Sequence, residues 1–206
     1  NVLTARGGSP VQIREVFDRR RFVLLDGGMG TQLQSRGLQP GEKPELAALT
    51  MPDTLTAIHR DYAAAGADIL LANTFGANAK KLAGCDYTLQ QVLQASLACA
   101  RTAAEETGAL VGLDIGPLGE LLAPAGTLAF ADAYDRFAEV IRLGAEAGAD
   151  LVFLETMTDL YELKAAILAA KENCTLPVFT SMSFEARGRT FTGCTVESYA
   201  VTAVGL

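Results

Sequence analysis

Ala65-Gly66-Ala67-Asp68-Ile69-Leu70-Leu71-Ala72-Asn73-Thr74 reads in order as a helix end, a cap, a buried strand and a polar strand end. Gly66 stands where a helix stops in a left-handed backbone, a conformation open to glycine without steric cost. Asp68–Ala72 is a continuous apolar run rather than an alternating one, the pattern of a parallel strand covered on both faces. The pattern returns as Ala147-Gly148-Ala149-Asp150-Leu151-Val152, an offset of 82 residues. That offset fits two strand–helix units of about 41 residues each. A cap glycine before an apolar strand is also ordinary grammar in any βα protein, so the echo alone leaves a true repeat open.

Working outward, the same grammar predicts strands over Phe22–Asp26, Ala109–Ile115, Asp150–Leu154 and Pro177–Met182. Helices are predicted over Asp53–Ala65, Thr88–Thr107, Phe130–Ala147 and Asp159–Glu172, and a further one opens at Thr195. The order is βα repeated, the signature of an α/β fold with right-handed crossovers. Residues 1–20 read as a lead-in segment and 21–206 as the folded unit.

Composition narrows the function classes. Of 206 residues, 50% are hydrophobic and 20% charged, which excludes a disordered chain. Seventeen basic against 24 acidic residues give a net charge of −7, which argues against a nucleic-acid surface or an anionic membrane as partner. The most apolar stretch, Ala109–Ala131, is interrupted by Asp114, Pro117, Glu120 and Pro124 and does not read as a membrane span. The start, Asn1–Pro10, does not read as a signal peptide. Cys85, Cys99, Cys174 and Cys194 show no C-x-x-C spacing, so they are expected to be reduced thiols in a cytoplasmic protein.

The strand ends carry the chemistry. Asp26, Asn73-Thr74, Asp114, Glu155-Thr156 and Ser181 fall at the carboxyl ends of successive strands, the rim where parallel α/β folds bind ligands. Asn73 and Glu155 are also 82 residues apart, so they occupy equivalent positions and are expected to face one cavity. Gly27, Gly28 and Gly30 follow Asp26 and match neither nucleotide-binding glycine pattern. Their amides suit a carboxylate or phosphate, while an ordinary strand-end turn stays open. Glu155 suits an ammonium or a helix-capping role, and Asp114 suits the rim or the turn at Gly116-Pro117. An amino acid offers both an anion for the amides and a cation for the carboxylates. His59, mid-helix, reads as a surface or packing histidine, Cys99 as packing, and Cys194 as the one cysteine near the rim.

These residues resemble the homocysteine S-methyltransferase family. Asp26-Gly27-Gly28-Met29-Gly30-Thr31 is similar to its opening motif, and Asn73-Thr74-Phe75-Gly76-Ala77-Asn78 to its second-strand motif. His59-Arg60-Asp61-Tyr62 and Ala65-Gly66-Ala67-Asp68 resemble the helix before that strand. Gly116-Pro117-Leu118-Gly119 and Glu155-Thr156-Met157-Thr158-Asp159-Leu160 resemble the third and fourth strand ends. Leu121-Leu122-Ala123-Pro124 and Lys164-Ala165-Ala166 look most like the N-terminal module of its cobalamin-dependent, methionine-forming bacterial branch. Ala48 and Ala72 depart from that pattern, standing where relatives carry polar residues.

The resemblance implies a (βα)8 TIM barrel, with about its first five βα units in this chain. It implies methyl transfer to the zinc-activated thiolate of homocysteine, from methylcobalamin recharged by methyltetrahydrofolate on other modules of a larger methionine synthase. The substrate residues it implies are Asp26, Gly27, Gly28, Asn73, Thr74, Asp114, Glu155 and Ser181. In the family three cysteines on the sixth and eighth strands hold the zinc, and those positions are expected beyond Leu206. Cys85, Cys99, Cys174 and Cys194 match none of them. The expectation is therefore an N-terminal piece that alone holds no zinc or cobalamin, has no catalytic residue of its own and transfers no methyl group. Open sheet edges predict a homo-oligomer, with exchange of the helix after Thr195 as a variant. Leu24, Leu70, Leu113, Val152 and Phe179 are the expected inner face of the sheet. Two other readings stay open: a different barrel enzyme that binds a phosphorylated small molecule, and a non-catalytic assembly module. No lysine at a strand end supports Schiff-base chemistry, since Lys164 and Lys171 fall within a helix.

Overall fold

The computed structural model describes residues 2–3, 11–12, 18 and 22–206. Most of the lead-in predicted over residues 1–20 lies outside the described residues. Within it, β1 (Val2–Leu3) pairs antiparallel with β2 (Val11–Gln12). A short helix α1 (Met29–Ser35), a 3-10 turn over Pro44–Leu46 and α2 (Ala47–Thr50) then precede α3 (Pro52–Ala64). From there strands and helices alternate: β3 (Ile69–Leu71), α4 (Leu89–Thr107), β4 (Leu110–Ile115), α5 (Phe130–Glu146), β5 (Leu151–Met157), α6 (Leu160–Asn173), β6 (Val178–Met182) and α7 (Val196–Gly205).

The helix boundaries follow local chemistry. Thr88 caps α4 through a capping box with Gln91, Asp159 accepts the Tyr161 amide at the start of α6, and Thr195 accepts the Ser198 amide at the start of α7. Gly66, Gly108 and Gly148 follow α3, α4 and α5 with φ of 102°, 78° and 91°. The Leu206 amide donates to Thr202 O, and its carbonyl accepts from Lys171 Nζ on α6. Glu162 is buried at the start of α6, where its carboxyl accepts the Leu118 amide at 2.7 Å and burial raises it to about 7.

The sheet runs β3-β4-β5-β6, parallel throughout and in chain order. Sequential order has no reversal of winding, which separates it from doubly wound sheets and matches barrel winding. Phe22–Asp26, predicted as a full strand, forms a single bridge, Leu25 to Ile69. The Asp68 carboxylate takes the Leu24 amide at 3.0 Å, so a side chain replaces a strand partner there. The remaining pairing is to one side: Asp68 and Ile69 amides donate to Leu24 O, and Asp26 N donates to Ile69 O. Phe22, Leu24 and Leu25 are accordingly exposed.

The predicted inner face also needs correction. Leu70, Leu113 and Val152 belong to the cluster formed with the helices. Gly112 of β4 faces the other way, with Leu71, Leu151 and Ile69 around the place a Cβ would take. Of the β3–β6 candidates only Phe179 shares that face, paired with Phe153 and stacked on it at 6.4 Å. The reason is the period of two: once Asp114 and Glu155 face the cavity, Leu113 and Leu154 must face the helices. Gly144 of α5 lies directly on the Leu113 side chain, where any Cβ would overlap it. Gly144→Val is expected to cost about 2 kcal/mol or more by overpacking. Urea denaturation checks this, and an unchanged midpoint would remove Gly144 from the helix–sheet contact.

Candidate functional site

Asp26 is held by a hydrogen bond and has a histidine beside it. Its Oδ2 accepts the Leu71 amide at 3.0 Å, and His59 Nδ1 on α3 lies 3.9 Å from the same oxygen. The next residue, Gly27, has the Tyr62 ring beneath it, 3.0 Å from where a Cβ would stand, so a larger residue would crowd the ring. The Tyr62 hydroxyl donates to Gly28 O at 3.1 Å. His59 and Tyr62, one helical turn apart, thus form the floor of the Asp26–Gly28 turn.

The end of β3 is held by hydrogen bonds of its own. Asn73 is buried and donates from Nδ2 to Pro44 O at 2.6 Å. Thr74 is fully buried and clips β3 to β4, donating to Asp114 O at 2.7 Å and accepting the Asp114 amide at 3.1 Å. At the end of β5 the register shifts between Leu154 and Met157, and Thr156 takes a φ of 51°. A left-handed threonine is uncommon. Its amide is held by Ser181 Oγ at 2.9 Å.

These elements enclose a cavity of about 410 Å³. Asp26, Gly27, Gly28, Asn73, Asp114 and Glu155 all line it, so the structure brings together six of the eight residues singled out from the strand ends. Thr74 and Ser181 do not line it; they sit behind it and hold Asp114 and Thr156 in place. Cys194 does not line it, its thiol lying against Thr195 O. Glu45 and Phe75, absent from the residues expected at the strand ends, also line the cavity. Glu45 fills the space in front of Gly76, and Phe75 fills the space in front of Gly116. Phe75 directly follows Asn73-Thr74 and Glu45 follows Pro44, but nothing local to either distinguishes a cavity wall from a turn.

The cavity is electrostatically unusual. Burial raises the Asp26 carboxyl to about 7, with the nearby Glu155 charge adding to the effect. Burial, then the charges of Glu155 and Asp26, push Asp114 well above the ordinary carboxylate range. Glu155 is raised by burial and pulled back by its hydrogen bond with Asp114. Asp114 Oδ1 has no hydrogen-bond partner among the described residues. His59 is fully buried rather than a surface histidine, and burial lowers it to about 4, so it is neutral at physiological pH. Carboxyl groups this close repel a phosphate and attract a cation.

A parallel sheet in sequential order, with an acidic cavity at the carboxyl ends of its strands, is the architecture of part of a TIM barrel and the place where such barrels bind ligands. The homocysteine S-methyltransferase family model matches residues 23–205, and the chain belongs to this family. A methionine synthase of Mycobacterium tuberculosis is 34% identical over 206 aligned residues, which cover 90% of this chain and 17% of that protein. A methionine synthase of Mycobacterium leprae is 33% identical, covering 91% of this chain and 18% of that protein. The chain thus spans less than a fifth of these relatives' length. The crystal structure of the Escherichia coli homocysteine methyltransferase MmuM in its metallated form superposes with a TM-score of 0.83 at 21% identity, covering 94% of this chain and 74% of that one. That likeness shows the shared fold.

Among the described residues no three of His, Cys, Asp and Glu are grouped to hold a metal ion. The cysteines have separate surroundings: Cys85 beside Lys43, Cys99 facing Pro52 O, Cys174 facing Ala170 O and Cys194 facing Thr195 O. The described residues therefore do not fit a zinc ion. The zinc cysteines that the resemblance places beyond Leu206 fall outside the described residues. No helix among them is long and apolar enough to cross a membrane.

Proposed function

We propose that the cavity binds homocysteine, as the substrate-holding part of a homocysteine S-methyltransferase of the methionine synthase type. The observation that carries this reading is the convergence of Asp26, Asp114 and Glu155 beside the Gly27–Gly28 turn in one cavity. The carboxyls receive the α-ammonium, and the turn amides receive the α-carboxylate. An arriving ammonium favours the ionised carboxyls, so Asp26 and Asp114 release protons that burial holds on them in the empty cavity. Phe75 supplies an apolar wall for the side-chain methylenes. Thr74 and Ser181 belong to the same site as supports for Asp114 and Thr156.

Family membership supports methyl transfer to the homocysteine sulfur as the reaction of the whole enzyme. Zinc, methylcobalamin and methyltetrahydrofolate belong to that whole reaction, and no step through them is assigned to the residues described. Calorimetric titration of the chain with homocysteine and with 4-mercaptobutanoate, which lacks only the amine, tests the reading. Loss of a charge-assisted ammonium contact is expected to weaken the analogue about tenfold or more. Equal affinity for the two, or preference for a sugar phosphate, would overturn it.

A further inference from the structure

His59 has no place in the binding scheme above, yet it is a buried titratable group beside the site. It is fully buried, and neither Nδ1 nor Nε2 has a hydrogen-bond partner among the described residues. An unpartnered buried polar side chain is costly, so its presence calls for a physical reason. The charged or titratable group it faces is Asp26, with Nδ1 at 3.9 Å from Oδ2. That is beyond hydrogen-bond length by about 1 Å, a gap that a small rotation of either side chain closes.

We propose that His59 is a positioning residue for Asp26: a neutral imidazole with its proton on Nδ1, directed at Oδ2, that orients the carboxylate for a cation in the cavity. Oδ2 already accepts the Leu71 amide. A second donor from α3 fixes the carboxyl plane from behind and leaves the face toward the cavity for the ligand. The need for that donor rises when Asp26 ionises, because a charged oxygen is a stronger acceptor than a protonated one. The contact, 3.9 Å between Nδ1 and Oδ2, is thus one that ionisation of Asp26 strengthens. The neutral state of His59 matters. An imidazolium there would neutralise Asp26 from behind and compete with the ligand's cation. Tyr62, the next turn of the same helix, holds Gly28 by its hydroxyl, so one helix face supports both the carboxylate and the amide side of the turn.

This inference rests on the reading of the cavity as a cation-binding site, but its first test does not. His59 is the single histidine of the chain, so its imidazole nitrogens give one unambiguous set of resonances. Long-range proton–nitrogen correlation spectra of the uniformly labelled chain at neutral pH are expected to show the Nδ1–H tautomer. Asp26→Asn is expected to shift the Nδ1 resonance. An Nε2–H tautomer, an imidazolium, or an Nδ1 signal indifferent to Asp26→Asn overturns the proposal without touching the homocysteine reading. In the binding arm, His59→Leu is expected to weaken homocysteine about tenfold, and His59→Asn, which keeps an N–H donor, to recover most of that loss. Equal weakening in both variants with the fold intact by circular dichroism would assign His59 a packing role and overturn the proposal. Failure of the unmodified chain to bind homocysteine would count against the substrate reading alone, since the tautomer result stands apart from it.

Discussion

Asp26→Asn and Glu155→Gln are each expected to weaken homocysteine binding by about tenfold or more at pH 7.5, because each removes a charged acceptor from a partly desolvated ammonium site. The substitutions keep shape. Asp26→Asn retains an oxygen for the Leu71 amide, and Glu155→Gln keeps the side-chain length at the rim of the cavity. The loss is therefore of charge rather than of packing. Both carboxyls serve one cation, so the double variant is expected to fall short of the sum of the two losses. Calorimetry on the two single variants and the double variant measures this. Unchanged affinity in both single variants would remove Asp26 and Glu155 from the site. Full additivity would mean that they bind different groups of the ligand.

That cluster is partly legible in the sequence because its members are strand ends, and strand ends in a βα chain are marked by local chemistry. Gly66, Gly108 and Gly148 end helices by adopting a left-handed backbone, and Thr88, Asp159 and Thr195 begin them by accepting an amide. Each signal lies within one turn of the element it bounds. Asn73 and Glu155 then fall at equivalent rim positions by simple counting. What is not legible is set by contacts far apart in the chain. His59 acquires its surroundings only because α3 packs under the Asp26 turn. The helix Met29–Ser35 hides behind a glycine run, since Gly28 serves as its N-cap without any side-chain bond. The inner face is misassigned because an apolar run without alternation carries no register, and only the polar residue at its end fixes which side faces the cavity. The first strand is overread for a related reason. Its residues suit a strand, but the Asp68 carboxylate takes the amide a neighbouring strand would need.

The second large effect concerns stability and pH. Asp26 and Glu162 are both raised to about 7, chiefly by burial. Their unperturbed values are 3.8 and 4.5. For an acid raised on folding, the folded chain binds the proton more tightly than the unfolded one. Below the unfolded value both states are protonated and the group costs nothing. As pH rises toward 7 the unfolded chain ionises first, so stability falls, and above 7 it levels off. This is opposite in sign to the ordinary salt-bridged carboxylate. Each group is expected to reduce stability by about 2–3 kcal/mol between pH 5 and pH 8. Asp26→Asn and Glu162→Gln keep an acceptor for the Leu71 and Leu118 amides but cannot ionise. Each variant is expected to match or exceed the unmodified chain at pH 8 and to show a smaller loss from pH 5 to pH 8. Urea denaturation at the two pH values provides the comparison, and the double difference isolates the one group from every other titration. The same pH dependence in variant and unmodified chain would mean that the carboxyl is ionised at ordinary pH and that burial does not govern it. For Asp26 the two predictions point in opposite directions: the substitution that abolishes charge stabilises the fold at pH 8 and weakens the ligand. That opposition is the mark of a carboxylate kept for binding at the expense of the fold, whereas Glu162, which lines no part of the cavity, should show the stability gain alone.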